Sequence, residues 1–306
     1  MNNAMLPRFF HKYPTFSRWV LGGACLGLAA GLVRAQQDFS KVEVKVSKVA
    51  GNVYMLEGSG GNIGVSVGDD GILIVDSEFA PLAPKIKAAL HTLSAKPIRF
   101  VLNTHFHGDH TGGNSEFGRE AVIVAHDNVH QRLLAGTDGK PTPREALPLI
   151  SFNDTATVHL NGEDIRALHF PHGHTDGDSI IYFPKSNVAH MGDDFVTYGF
   201  PFVDGNGGGS IGGMITALEK ALTQLPADVK IIPGHGPVST PDDVRKFIAM
   251  MKDTRDLVAQ ARKAGKSAAE MKQAHLLAKY EADYNKGFIK AETWIEQLDQ
   301  ELAKQP

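Results

Sequence analysis

The amino-acid sequence predicts a mixed fold of the α/β or α+β class, continued by a helical tail. Three observations predict it. Short apolar runs of strand type alternate with helical stretches between residues 40 and 240, the pattern after 240 is helical throughout, and no repeat, low-complexity tract or long linker divides the chain. With 42% hydrophobic and 21% charged residues among 306, the composition is that of a globular chain long enough for one large or two smaller domains.

The first 35 residues read differently. Arg8, Lys12 and Arg18 precede the apolar run WVLGGACLGLAAGLV from Trp19 to Val33, and Val33-Arg34-Ala35 then places small residues at -3 and -1 before Gln36. This predicts a secretory signal peptide over residues 1-35, cleaved after Ala35. The apolar run is short against the ~20 residues that span a bilayer, so no stable membrane association is expected of the mature chain, and the expected location is periplasmic or secreted. Cys25, the single cysteine, lies in this run. The mature chain therefore offers no disulfide, thiolate nucleophile or sulfur metal ligand.

Beyond it, Val42, Val44 and Val46 alternate with charged residues. Val53 to Leu56 and Ile63 to Val67 follow, and Gly68-Asp69-Asp70-Gly71 turns into Ile72 to Val75, a hairpin pattern. A helix is expected at Pro84 to Leu93 and a strand at Ile98. Later strands are expected at 121–125, 165–170, 179–183, 188–191 and 230–232. Ser210 caps an expected helix whose Met214, Leu218 and Leu222 fall on one face. In the tail, Thr240 with Pro241, Asp242 and Asp243 starts one helix, and Ser267 with Glu270 forms a capping box for another. Phe288, Ile289, Trp294, Ile295 and Leu298 read as the apolar face of a last helix. These boundaries give a main domain over 36-240 and a helical extension over 241-306 packed on it.

A formal charge of -3, from 31 basic and 34 acidic residues without long like-charge blocks, provides no footprint for nucleic acid or an anionic membrane. The expected partner is a small-molecule substrate.

The chemistry is concentrated in THFHGDH, residues 104 to 110, directly after the strand at Ile98. Side chains alternate along an extended segment, so His105 and His107 point the same way, while Asp109 and His110 lie where the chain begins to turn. One loop can thus serve two metals. Imidazole and carboxylate suit zinc, iron, manganese or cobalt, and two such ions about 3.5–4 Å apart can hold a bridging hydroxide. Three further signals fall at strand ends: Pro171-His172-Gly173-His174-Thr175-Asp176-Gly177-Asp178, Met191-Gly192-Asp193-Asp194 and Pro233-Gly234-His235-Gly236.

In these four motifs, taken in order, the chain resembles the metallo-β-lactamase superfamily over roughly residues 40 to 240. The resemblance implies an α+β fold, a four-layer αββα sandwich with two zinc ions, or iron or manganese in their place, in a groove at one sheet edge. It also implies a ligand set. His105, His107 and His174 would hold the first metal, Asp109, His110 and His235 the second, and Asp193 would bridge them. Asp109 would in addition orient the hydroxide and handle its proton. Asp193 stands where one subclass of zinc β-lactamases carries cysteine, which brings the set closer to glyoxalase II-like hydrolases. Asp76 resembles the family's acid that orients a ligand histidine, with a turn aspartate as the other reading.

Other positions have weaker claims. His172 would face the site if its segment is extended, and Asp194 is an alternative bridge. His126, His130, His159, His169 and His190 have no motif around them and read as core or surface histidines. Gly205 to Gly209 lack the Lys-Ser/Thr of a phosphate loop and read as a loop flanking the site.

Together these features predict an exported dinuclear zinc hydrolase of class B β-lactamase-like type, opening a β-lactam or related cyclic amide or ester. A glyoxalase II-like thioester or lactone hydrolase is the alternative. An iron-dependent persulfide dioxygenase-like oxidoreductase, using His105, His107, His174 and Asp193 alone, is a third reading.

Overall fold

The computed structural model describes residues 38–136 and 140–304, so the expected signal peptide lies outside the described residues. Two sheets carry the fold. The first has seven strands in sequential order: β1 (Lys45–Ala50), β2 (Val53–Glu57), β3 (Ile63–Gly68), β4 (Gly71–Val75), β5 (Ile98–Leu102), β6 (Val122–His126) and β7 (Ile150–Phe152). Hairpins join β1 to β4, whereas β4, β5 and β6 run parallel. The second sheet has the order β12-β11-β10-β9-β8, from β8 (Thr155–Leu160), β9 (Glu163–His169), β10 (Ser179–Phe183), β11 (Val188–His190) and β12 (Lys230–Ile232).

Alternation along the strands builds four layers. Leu73, Val75, Leu102 and Val124 point into one apolar cluster with Ile165, Ile181, Phe183 and Ile232 of the other sheet. Their chain neighbours Ile72, Ile74, Val101 and Ile123 point the opposite way and are covered by Ala83, Ile86 and Leu90 of α1 (Ala83–Leu93). On the far side Ile180, Tyr182, Ala189 and Ile231 meet α5 (Ile211–Gln224), α6 (Pro241–Lys263) and α9 (Ala291–Ala303) through Met214, Leu218, Phe247, Met251, Trp294 and Leu298. A core facing both ways from each sheet requires the αββα order.

Short helices α2 (Gly108–Thr111), α3 (Asn114–Phe117) and α4 (Asp127–Ala135) follow β5 and β6, and α7 (Ala268–Gln273) and α8 (Ala278–Tyr284) complete the tail. Ser210, Thr240 and Ser267 cap α5, α6 and α7 through the N–H groups of Gly213, Asp243 and Glu270, the last two as capping boxes. The tail shares one core with the second sheet, and Trp294 Nε1 donates to the buried Thr254 hydroxyl at 3.0 Å.

Two sequence expectations shift. Val42 and Val44 precede β1 rather than belong to it: the Lys85 ammonium takes the carbonyl oxygens of Phe39, Ser40 and Val42, and Val46 is exposed while Val49 is buried. Phe288 is 82% exposed and precedes α9, so the buried face of that helix is Trp294, Ile295 and Leu298.

Candidate metal centre

Strand direction decides where the motifs meet. β4, β5 and β6 are parallel, and β9, β11 and β12 share one direction because β10 is antiparallel to both β9 and β11 while β11 and β12 are parallel. The segments after β4, β5, β9, β11 and β12 carry Asp76, the His105–His110 cluster, His174, Asp193 and His235. Residues as distant in sequence as Asp76 and His235 thereby share one edge of the sandwich.

Three donor groups result: His105 with His107 and His174; His105 with His110 and Asp193; and Asp109 with His110 and His235. Within each, the ligand atoms lie within 4.8 Å of one another. All seven residues assigned from the sequence are present, and His105 and His110 join the groups into one cluster. Asp193 Oδ1 lies 3.2 Å from His110 Nε2 and 3.4 Å from His235 Nε2, and its Oδ2 lies 3.8 Å from His174 Nε2. It thus faces both outer groups. Asp109 Oδ2 is 3.2 Å from His235 Nε2 and 3.7 Å from His110 Nε2.

Four histidines are aimed by bonds on their outer nitrogens. His110 Nδ1 donates to Asp76 Oδ2 at 2.8 Å, His174 Nδ1 to the Phe202 carbonyl at 2.7 Å, and His107 Nε2 to Asp204 Oδ2 at 3.0 Å. His105 Nδ1 donates to Thr104 Oγ1 at 3.0 Å, and that hydroxyl donates to Asp76 at 2.7 Å. In its neutral form each ring keeps one nitrogen lone pair directed inward, the arrangement that orients metal-ligating imidazoles. His105 Nε2 is buried without any hydrogen-bond partner, whereas Asp193 Oδ1 is engaged only by the His110 and His235 imidazoles. Orphaned acceptors inside a protein carry a desolvation cost unless something else engages them. Imidazole nitrogens and carboxylate oxygens converging at this spacing fit a pair of divalent cations, with zinc, iron and manganese all compatible with the set.

Electrostatics divides the cluster in two. Burial holds the His105 imidazole well below its ordinary value, helped by nearby histidines, and pulls His174 down to about 4, so both present neutral rings. At the other end burial acts against the charged forms but is outweighed by mutual attraction. His110 is pushed well above its ordinary value by Asp193, Asp109 and Asp76, and His235 up to about 9 by Asp193 and Asp109. Asp109 falls to about 2 and Asp193 well below the usual carboxylate range, held there by His110 and His235. Two carboxylates at this end therefore demand positive charge.

Asp76, left open between an orienting acid and a turn residue, orients His110. The segment before His174 is not extended at His172, whose φ of 59° turns its ring to the Gly208 carbonyl, away from the donor groups. Asp194 is buried with Oδ1 accepting the His174 N–H at 2.9 Å, against Asp178, and is not among the donors.

Several contributors escaped the sequence reading. Asp204 aims His107 from 97 residues away, a separation no local pattern reveals. Glu78, buried and at φ 51°, accepts the N–H groups of Ser59 and Gly60 and so holds the β2–β3 loop against the site. There Gly61 lies so close to His110 that a Cβ would meet its Cε1 at 2.1 Å. Tyr198 packs edge-on to His235 at 5.6 Å, and burial, Asp193 and Asp109 all raise its hydroxyl pKa.

The family model of the metallo-beta-lactamase superfamily matches residues 49–235, from β1 to the last donor histidine. The chain belongs to this superfamily. It is 28% identical over 171 residues to a metallo-beta-lactamase type 2 of Bacteroides fragilis, covering 53% of this chain and 61% of that one. Against a hydroxyacylglutathione hydrolase of Nitrosococcus oceani the identity is 33% over 142 residues, 45% of this chain and 48% of that one. A 2,4-dinitroanisole O-demethylase subunit alpha of Nocardioides is 27% identical over 135 residues, with 42% and 40% covered. The chain thus spans 61% or less of the length of these relatives. Among solved structures, a metallo-beta-lactamase from Pontibacter korlensis superposes with TM-score 0.59 at 15% identity, covering 69% of this chain and 99% of that one. The DIM-1 metallo-beta-lactamase gives 0.58 at 18%, covering 70% and 99%. These two likenesses show the fold. Members of the superfamily are metal-dependent hydrolases.

Proposed function

We propose that this chain is an exported dinuclear metal hydrolase that opens a β-lactam or a related cyclic amide or ester. The observation that carries the reading is Asp193, which faces His110 and His235 on one side and His174 on the other, so that two ions can share it. His105, His107 and His174 would hold the first ion, and Asp109, His110 and His235 the second. When bound, such a pair supplies a water acidified towards neutrality and a Lewis acid for the scissile carbonyl.

The chain's own groups do the rest. Asp109 is the more accessible of the two carboxylates, at 32% against 14% for Asp193, which suits it to receive a proton from the attacking water and release it to solvent. Asp76, Asp204 and the Phe202 carbonyl keep the imidazoles in register throughout. Tyr198 keeps its proton and presents a hydroxyl beside His235. The segment from Asp194 to Tyr198 carries no lysine to hold a substrate carboxylate, so turnover of β-lactams is expected to be modest.

A thioester or lactone hydrolase is the second reading, favoured by the all-nitrogen-and-oxygen set with Asp193 as bridge. A single-iron oxidoreductase is disfavoured, because the Asp109, His110 and His235 group would have no task. The test is a panel of a penicillin, a cephalosporin and a carbapenem beside a glutathione thioester and a simple lactone, with metal content verified. Ring opening by the zinc-loaded protein, abolished in His105→Ala and Asp109→Ala, is the expected result. Thioester or lactone turnover without β-lactam hydrolysis above those two variants would replace the first reading by the second.

A further inference from the structure

The helices beyond residue 235 lie outside the family match, yet one side chain from the last of them reaches the frame of the first donor group. Glu301, on α9, accepts the N–H of Ile211 at 2.5 Å and that of Gly212 at 3.1 Å. These belong to the first turn of α5, whose N–H groups have no acceptor within their own helix. Ser210 Oγ takes a third, from Gly213, at 3.0 Å. A carboxylate here also meets the positive end of the helix dipole.

The turn held in this way presses on the segment that carries His174. Ser210 N–H donates to the carbonyl oxygens of His172 and Gly173 at 3.2 and 3.0 Å. A Cβ on Gly209 would lie 2.2 Å from the His174 carbonyl oxygen, and one on Gly213 would lie 1.9 Å from that of His172. Only glycine allows the two backbones to approach so closely. Upstream, Asp204 N–H donates to the His174 carbonyl at 2.9 Å, Gly209 N–H donates to the Asp204 carbonyl at 2.9 Å, and the Asp204 carboxylate takes His107. The glycine-rich run of residues 205–209 is therefore a close-packing device, and His107 and His174 are both set by residues 202–213.

We propose that Glu301 is a positioning residue for the first metal, anchoring through the start of α5 the segment that aims His107 and His174. The inference rests on reading His105, His107 and His174 as metal ligands. It gives the C-terminal extension a part in the site that the family match does not cover. A merely structural cap would instead affect the fold, and the two ions alike.

The experiment measures zinc affinity of the full chain by competition with a chromophoric chelator, in the wild type and in a His110→Ala background that leaves the first group intact. Glu301→Ala should weaken the remaining equivalent in that background about tenfold, the low end for loss of a group that orients metal ligands. Glu301→Gln, which retains one acceptor oxygen, should fall between and covers the case in which the alanine variant does not fold. Ser267→Ala removes a cap on α7 and should leave zinc affinity unchanged. If the wild type binds two equivalents and the Glu301 variants match it, or lose both equally, the inference is overturned. If the wild type binds none, the reading of the site itself fails.

Discussion

Asp76→Asn tests the two-group arrangement at a single buried side chain. The Asp76 carboxylate accepts the Thr104 N–H at 2.8 Å and the Thr104 hydroxyl at 2.7 Å, and it takes Nδ1–H of His110 at 2.8 Å. The last bond turns His110 Nε2 towards Asp193. Asp76 sits at φ 67°, a left-handed conformation that asparagine tolerates and that strains alanine by about 1–2 kcal/mol. Asparagine therefore leaves the backbone in place while its NH₂ faces at least one donor. Hydrogen bonds to a charged group contribute about 1.5–3 kcal/mol. Groups that orient metal ligands are worth about 10- to 100-fold in metal affinity. At about 1.4 kcal/mol per tenfold the two scales coincide. The expected result is the zinc equivalent at Asp109, His110 and His235 weakened about 10- to 100-fold and the other weakened less, because Asp76 reaches His105 only through the Thr104 hydroxyl, read by chelator competition and by metal content after dialysis. Wild-type affinity for both equivalents in Asp76→Asn would show that His110 needs no partner on Nδ1, and the reasoning would be refuted.

Two further substitutions probe backbone and core. In Gly234→Ala the new Cβ would lie 2.0 Å from Asp193 Oδ1 and 2.6 Å from the Gly192 carbonyl, so Asp193 must move; a folded variant with full metal content would contradict this. Trp294→Ala removes a fully buried ring from the core shared by α6 and α9, which should destabilise the chain by about 3–5 kcal/mol and lower Tm by roughly 6–20 °C in calorimetry. A fall of under about 2 °C would show that α9 adds little to the fold.

The four motifs were legible because each packs its donors beside glycines at a strand end, where one short segment determines its own geometry. The alternation argument for His105 and His107 holds: Nε2 of one and Nδ1 of the other enter the same group. It fails at His172, where a left-handed residue interrupts the extended chain and nothing in PHGH marks it. Strands β7 and β8 were not legible. β7 is three residues long at the sheet edge with Ile150 half exposed, and every second residue of β8 is exposed, so neither has an apolar run to announce it.

The orienting partners were the least legible part, for a reason that bears on how the site works. A motif fixes which imidazoles arrive at the sheet edge but not which nitrogen each presents. That choice is made by the acceptor behind the ring. His110 presents Nε2 because Asp76 takes Nδ1, whereas His107 presents Nδ1 because Asp204 takes Nε2. The Asp204 carboxylate is in turn held by the Gly207 N–H, and its backbone by bonds to Gly209 and His174, within the segment that ends at the capped start of α5. Ligand identity in the first group is thus local, while ligand orientation is a property of the tertiary structure, extending through Glu301 to the last helix. Substitutions in that helix should accordingly alter metal affinity without touching a single motif residue.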